Sequence, residues 1–272
     1  MAFQTAGPPL IRAAIIGVTG RMGLAVLHAA PAFARLLITG AIASPTSLAL
    51  GRDAGQIAGI GPLNLPVTSD LARALAQADV AIDFSTPAAT PATLTCCRAA
   101  KVPLLLGTTG FTVSVSAELE ATARDIALLV AANTSLAVAL LTELTARAAR
   151  ALPGFDLDIL EEHHRTKRDA PSGTALALAA AARAARARTP QGTPPAGPRP
   201  QGDIGIASVR AGDLVGEHTV LLTGPGEQLL LTHRASDRAI FARGALTAAL
   251  WLASRPPGRY GMKDLLDLET AT

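Results

Sequence analysis

From residue 12 to residue 130 the chain repeats one pattern: a short apolar run, a break of glycine or small polar residues, then a helical stretch. Strand-like runs at 12–16, 36–43, 80–84, 102–106 and 126–130 alternate with helical stretches at about 22–30, 69 or 70–78, 91–100 and 118–124. Strands separated by helices pair in parallel through crossovers, which predicts a doubly wound α/β sheet. The pattern changes after Leu152. Pro153-Gly154 breaks a long helix that starts near Leu136, and strands then dominate at 155–161, 204–210, 217–223 and 228–233. Gly224-Pro225-Gly226 marks a hairpin turn between the last two. One Ala-rich helix interrupts them, from Ser172 to Arg188, and Thr189–Gly202 reads as a mobile Pro/Gly-rich surface loop. A final helix over about 238–252 returns the chain to the first domain. The expected division is therefore 1–134, completed by 244–272, and a second α+β domain over 135–243 built on a mixed or antiparallel sheet.

Composition and charge remove several classes. With 24 basic and 21 acidic residues the formal charge is +3, and a single Trp and Tyr leave little to stack bases on. The densest basic stretch, Arg183, Arg186 and Arg188 with Arg199 beyond, reads as a solvated helix end, so no nucleic-acid partner is expected. The uncharged run from Ile126 to Thr142 holds Asn133, Thr134 and Ser135 in its middle and is short for a membrane span. A buried strand, a polar turn and a helix start account for it. Pro8-Pro9 stands where a signal peptide needs its apolar stretch. Cys96 and Cys97 are neighbours, a poor disulfide geometry, and read as reduced helix residues of a cytoplasmic protein.

Gly17-Val18-Thr19-Gly20-Arg21-Met22-Gly23 joins the first strand to the first helix. Glycines there let the backbone turn tightly against a pyrophosphate, whose charge the free N–H groups of the helix start stabilise. The spacing is G-x-x-G-x-x-G rather than G-x-G-x-x-G; its place at the first strand–helix junction is what points to a dinucleotide. The second strand ends Ala41-Ile42-Ala43-Ser44-Pro45, with no carboxylate to meet a ribose hydroxyl or repel a 2′-phosphate. NADPH is therefore expected, with NADH also accepted, and Arg21 or Arg52 is placed to meet the phosphate. Asp53 comes too late for that role and reads as a turn former.

Chemistry concentrates between residues 161 and 175, in Glu-Glu-His-His-Arg-Thr-Lys-Arg-Asp-Ala-Pro-Ser-Gly-Thr-Ala. Ser172-Gly173-Thr174 opens a helix and offers hydroxyls and unpaired N–H groups to an anion such as a carboxylate. Lys167 supplies a cation, and His163 and His164 carry protons near neutral pH. Taken alone, Ser172 is better explained as an N-cap. Glu161 and His163 with a distant third group admit a metal reading, but the spacing has no H-E-x-x-H form and no metal is expected.

With these residues the chain resembles the 4-hydroxy-tetrahydrodipicolinate reductase (dihydrodipicolinate reductase) family. The family signature is matched by Ile159, Glu161, His163, Lys167, Asp169, Pro171, Ser172, Gly173, Thr174 and Ala175, with Asp158 standing where the family has Glu. The likeness extends through Gly17–Gly23, Gly107–Gly110, Ala131–Ser135, Val209–Thr219 and Ala249–Leu252. It implies that His163 is the catalytic acid and Lys167 its partner. It implies that Thr109, His164, Lys167, Ser172, Gly173 and Thr174 bind the two substrate carboxylates. The dinucleotide would be held by Gly17, Thr19, Gly20, Arg21, Met22, Gly23, Gly107, Thr108, Thr109, Ala132, Asn133 and Ser135. Ala43 and Ser44 depart from an acidic-Arg pair that some members place on the cofactor ribose, and Thr86 replaces another Arg.

The resemblance also implies the reaction, hydride reduction of a small heterocyclic dicarboxylate at C4 with a proton from His163, and a homotetramer assembled through the second-domain strands from Ile204 to His233. Two other classes fit the first half of the chain. A semialdehyde-type dehydrogenase would need a thiolate nucleophile, and a non-catalytic dinucleotide sensor would not need His163 and Lys167 beside an anion site.

Overall fold

In a computed structural model, residues 9–111, 113–186 and 202–266 are described. Arg188, Arg199, Pro8 and the loop segment 189–201 lie outside them. The chain divides into two units, Met1–Thr134 with Phe241–Thr272, and Ser135–Ile240.

The first unit carries strands β1 (Ile11–Ile16), β2 (Leu36–Ile42), β3 (Val80–Asp83), β4 (Leu104–Leu106), β5 (Ala127–Val130) and β10 (Gly258–Tyr260). They form one sheet in the order β10-β5-β4-β3-β1-β2, parallel at every pairing. The helices are α1 (Arg21–Ala29), α2 (Ala54–Ala58), α3 (Leu71–Leu75), α4 (Thr90–Ala100) and α5 (Val113–Ala123), with α8 (Ala239–Leu252) arriving late in the chain. One sheet face packs Ala14, Ile16, Leu104, Leu106 and Leu128 against Leu94, Cys97 and Leu119 of α4 and α5. The alternate residues Ile15, Ile82, Leu105 and Leu129 are also fully buried. Burial on both faces is why these strands read as continuous apolar runs rather than alternating ones. The order reverses between β1 and β3, which opens a crevice at the carboxyl ends of those strands.

The second unit is a four-stranded sheet, β7-β6-β8-β9, carrying α6 (Leu136–Ala151) and α7 (Gly173–Ala185) on one face. Strand β6 (Asp156–His163) pairs in parallel with β7 (Ile204–Arg210) and antiparallel with β8 (Gly216–Gly224), which continues through Pro225-Gly226 into β9 (Glu227–Ala235). Gly226 takes φ +78°, the left-handed conformation a Pro-Gly turn demands. Along β6, Leu157 and Ile159 face Ala175, Leu178, Ala179 and Ala182 of α7. The opposite face carries Leu160, Leu221 and Leu230, and among the described residues no helix of the unit packs on it.

Several expected boundaries shift. Strand β6 runs to His163 instead of ending at Glu161, and α7 stops at Ala185 instead of Arg188. Helix α5 starts at Val113, well before Glu118. Arg186 is not part of a solvated helix end. Its guanidinium donates to the carbonyls of Ala149, Leu152 and Phe155, closing the end of α6.

Candidate active site

In the first unit the glycine turn does what its spacing requires. Gly17 has φ +82°, and a β-carbon there would stand 2.7 Å from the Phe84 carbonyl oxygen. At Gly23 it would meet the Gly17 carbonyl at 2.4 Å, so α1 can start this close to the strand only with glycine at both places. Gly20, at the N-cap, brings no capping side chain, which leaves the first-turn N–H groups of Arg21, Met22 and Gly23 to an anion. Thr19 and Arg21 are exposed beside them. A pocket of about 220 Å³ follows, lined by Met22, Phe84, Gly107, Ala132, Asn133 and Phe241. Gly107 is needed because a β-carbon would overlap the Phe84 ring at 2.1 Å.

Asp83 ties this rim together from below. Fully buried at the end of β3, it accepts the Ser85 N–H at 2.7 Å and the Thr108 hydroxyl at 3.4 Å. Burial pushes its carboxyl up, against hydrogen bonds from Ser85, Thr93 and Thr108. Thr109, next in the loop, is exposed. Asp53 caps α2 and also accepts the N–H groups of Leu63 and Leu65, at 3.1 and 2.9 Å. It serves the loop. Ser135 belongs to the second unit, where it caps α6 through the Val138 N–H.

The second unit gathers His163, His164, Lys167, Ser172, Gly173 and Thr174 around the end of β6. The two-residue alternation that buries Leu157 and Ile159 also turns Glu161 and His163 inward, at 0 and 9 % exposure. His163 therefore sits at a buried strand end, not on a polar loop. Its Nδ1 is hydrogen-bonded to Glu161 Oε2, and the other oxygen, Oε1, accepts Arg210 Nη2 at 2.7 Å. Register places Arg210 beside His163 on β7 and His218 beside Glu161 on β8. His218 Nε2 lies 3.1 Å from Ser172 Oγ, which caps α7 by accepting the Ala175 N–H. Lys167 Nζ holds both oxygens of Asp169, and His164 Nδ1 meets Thr166 Oγ1 at 2.8 Å.

The charges follow from these contacts. Burial pushes Glu161 up, but the hydrogen bonds from Arg210, Ser208 and His163 outweigh it and hold the carboxyl at about 2. Burial lowers His163, Glu161 raises it, and Lys167 and Arg210 lower it further; the net direction is down. Burial and the neighbouring His163 bring His218 to about 4. Ligand atoms of Glu161, His163 and His218 lie within 4.8 Å of one another, the grouping a metal reading needs. Both Glu161 oxygens are already engaged, one by a guanidinium, and that positive charge disfavours a second cation. Cys97 is fully buried with its thiol pushed far up, so no thiolate nucleophile arises there. Among the described residues no helix is long and apolar enough to cross a membrane.

A parallel sheet with a phosphate-ready glycine turn, in one chain with a unit that sets a buried histidine beside a lysine and an anion-ready helix start, defines an oxidoreductase of the doubly wound nucleotide-dependent class. Residues 11–134 match the N-terminal model of dihydrodipicolinate reductase and residues 137–266 the C-terminal one. The chain belongs to the dihydrodipicolinate reductase family. It is 45 % identical over 268 residues to 4-hydroxy-tetrahydrodipicolinate reductase of Myxococcus xanthus, covering 96 % of this chain and 99 % of the relative. To the enzyme of the same name from Alkalilimnicola ehrlichii it is 46 % identical, covering 94 % and 99 %. Among solved structures it resembles dipicolinate-bound dihydrodipicolinate reductase from Paenisporosarcina sp. TG-14, with 26 % identity, a TM-score of 0.75 and coverage of 93 % and 97 %. Amine dehydrogenase from Mycobacterium smegmatis shares the fold, with 18 % identity, a TM-score of 0.62 and coverage of 93 % and 95 %.

Reading motifs alone gives Glu161 only a place in the family signature and a rejected metal reading, and names neither Arg210 nor His218. The signal for Glu161 is present in the alternation from Leu157 onward. Arg210 and His218 arrive through strand register, which local sequence does not carry.

Proposed function

We propose that this protein reduces 4-hydroxy-tetrahydrodipicolinate, by way of dihydrodipicolinate, to tetrahydrodipicolinate in diaminopimelate and lysine biosynthesis, in the cytoplasm. The observation that carries the reading is the buried Glu161–His163 pair next to Lys167 and the Ser172 helix start, in a chain that follows this family over nearly its whole length. In this proposal the first unit holds the dinucleotide and the second the substrate. A bound reduced nicotinamide supplies the hydride that C4 of the heterocycle accepts.

The residues named below do the rest. Gly17, Gly20 and Gly23 admit the pyrophosphate, and Thr19, Arg21 and Met22 flank it. Gly107, Thr108, Ala132, Asn133 and Ser135 are assigned to the nicotinamide end. Lys167 leaves Asp169 to hold a substrate carboxylate, aided by His164, Gly173, Thr174 and Thr109. His163 gives a proton as negative charge develops through the conjugated nitrogen system. No carboxylate follows β2, and the Ser44 and Thr46 hydroxyls lie 3.0 Å apart there. A 2′-phosphate is therefore acceptable, and NADPH is used at least as well as NADH. Leu160, Leu221 and Leu230 on the uncovered sheet face support a homotetramer built through that face.

A coupled assay tests this reading. Substrate is generated in place from pyruvate and aspartate semialdehyde, and absorbance of NADPH, then of NADH, is followed. Oxidation only when the heterocycle is formed supports the activity; none at all overturns it. A tenfold preference for NADH overturns the cofactor assignment alone.

A further inference from the structure

Glu161 has no part in the reaction described above, yet it is the least exposed charged group of the second unit's site. It follows Leu157 and Ile159 on the inner face of β6 with 0 % of its surface exposed. A carboxylate so placed is costly unless its oxygens are engaged. Both are, one by His163 Nδ1 and the other by Arg210 Nη2. The same Nη2 donates to the Asp169 carbonyl at 2.7 Å, which ties the carboxylate's clamp to the loop that carries Lys167.

Resting on the reading of His163 as proton donor, we propose that Glu161 and Arg210 are its positioning residues. Glu161 holds the Nδ1 proton and fixes the ring so that Nε2 delivers the transferred proton, and Arg210 fixes Glu161. The surroundings of Nε2 agree with that division. It makes no hydrogen bond to the described residues, and a β-carbon at Gly216 would come within 2.9 Å of it. Glycine at 216 keeps that nitrogen from being covered. After the proton leaves, the neutral ring retains Nδ1–H on the carboxylate, and the exchange is complete when Nε2 is reprotonated from water.

The groups facing His163 are Glu161 on its own strand, Arg210 on β7, His218 on β8 and Lys167 on the following loop. Of these only Glu161 favours the protonated ring. A proton donor loses activity as pH rises through its titration, so loss of the Glu161 charge moves that fall-off to lower pH.

The test measures kcat against pH for the parent, Glu161→Gln and Arg210→Met. We expect Glu161→Gln to lower kcat about tenfold at pH 7, to move the alkaline fall-off down by about one pH unit, and to leave substrate KM within about threefold. Arg210→Met lowers kcat in the same direction. A loss of kcat with an unmoved fall-off would make Glu161 merely structural and overturn the proposal. Independently of turnover, ¹⁵N-histidine NMR of the parent reads the tautomer of neutral His163, assigned by its disappearance in His163→Asn. Nδ1–H is expected; Nε2–H overturns the proposal even if the variants do not fold. A parent that fails the coupled assay refutes the function, whereas the NMR result still judges the tautomer.

Discussion

At the scale of single residues, the site is a set of ionisable groups whose neighbours decide their state. His163→Ala removes a positioned acid and lowers kcat about 10²-fold or more. It also removes one of the hydrogen bonds that engage the buried Glu161 carboxylate, so denaturant unfolding detects a loss of about 1–3 kcal/mol. Lys167→Met, on a polar loop, leaves stability nearly unchanged. It weakens inhibition by pyridine-2,6-dicarboxylate about tenfold or more in competitive titration, because a charge-assisted contact to carboxylate is gone. His163, His218 and His233 are all held below the ordinary value of 6.5, chiefly by burial. The unfolded chain then binds protons that the folded one refuses, and stability falls as pH drops below about 6.5. His218, at about 4, accounts for at most about 3 kcal/mol of that loss by pH 4. Glu161 adds a separate loss only below about 4.5, as its carboxylate titrates toward 2. Urea unfolding from pH 7.5 to 4 checks the slope, which His218→Asn should flatten. The residue types were legible in sequence; their burial was not. A histidine read as loop is in fact the eighth residue of a strand whose inner face it shares with Leu157.

The elements show where local pattern suffices. Strands β1 and β3–β5 are short apolar runs bounded by glycine or polar turns; α6 has the length and the Ser135 cap that sequence reveals, and α4 carries Pro91 in its first turn in place of a capping side chain. Strand β10 has neither. Gly258-Arg259-Tyr260 contains no apolar run and becomes a strand only because β5 offers it an edge. Trp251 packs edge-on against Tyr260 at 5.3 Å, and Arg255 lies 4.3 Å from the Trp251 ring centroid, contacts that local spacing does not announce. Helix α2 is five residues long and rests on the Asp53 cap. The strand ends also give a sharp test of the pocket. Gly107→Ala must displace the Phe84 ring, so it should raise the KM for NADPH by about tenfold, or roughly 1.4 kcal/mol, while the heterocycle KM stays within about threefold. Steady-state kinetics with each substrate varied in turn decides it; equal changes in both would mean that the pocket is not where the dinucleotide lies.

The whole molecule joins a sheet buried on both faces to one that is covered on a single face. Alternation in β6 made the inner face readable, but which residues line the open face depends on the registers of β6, β8 and β9. Leu230, 54 % exposed, lies on that face beside Leu221 in register. Leu230→Glu should leave the fold intact and shift the proposed tetramer toward smaller species in sedimentation velocity, whereas an unchanged size distribution would place the contact elsewhere. The chain's path has a further consequence, in the order of synthesis. Strands β1 to β5 emerge first, but β10, which pairs with the β5 edge, follows only after the entire second unit. At about 5–20 residues per second, the 127 residues from Ala131 to Pro257 take roughly 6–25 s. The contiguous unit can close during that interval, while Leu128 and Leu129 on β5 wait at an unpaired edge for their last neighbour. The first unit is thus begun first and finished last, and a nascent chain stalled before residue 258 would present that edge to chaperones.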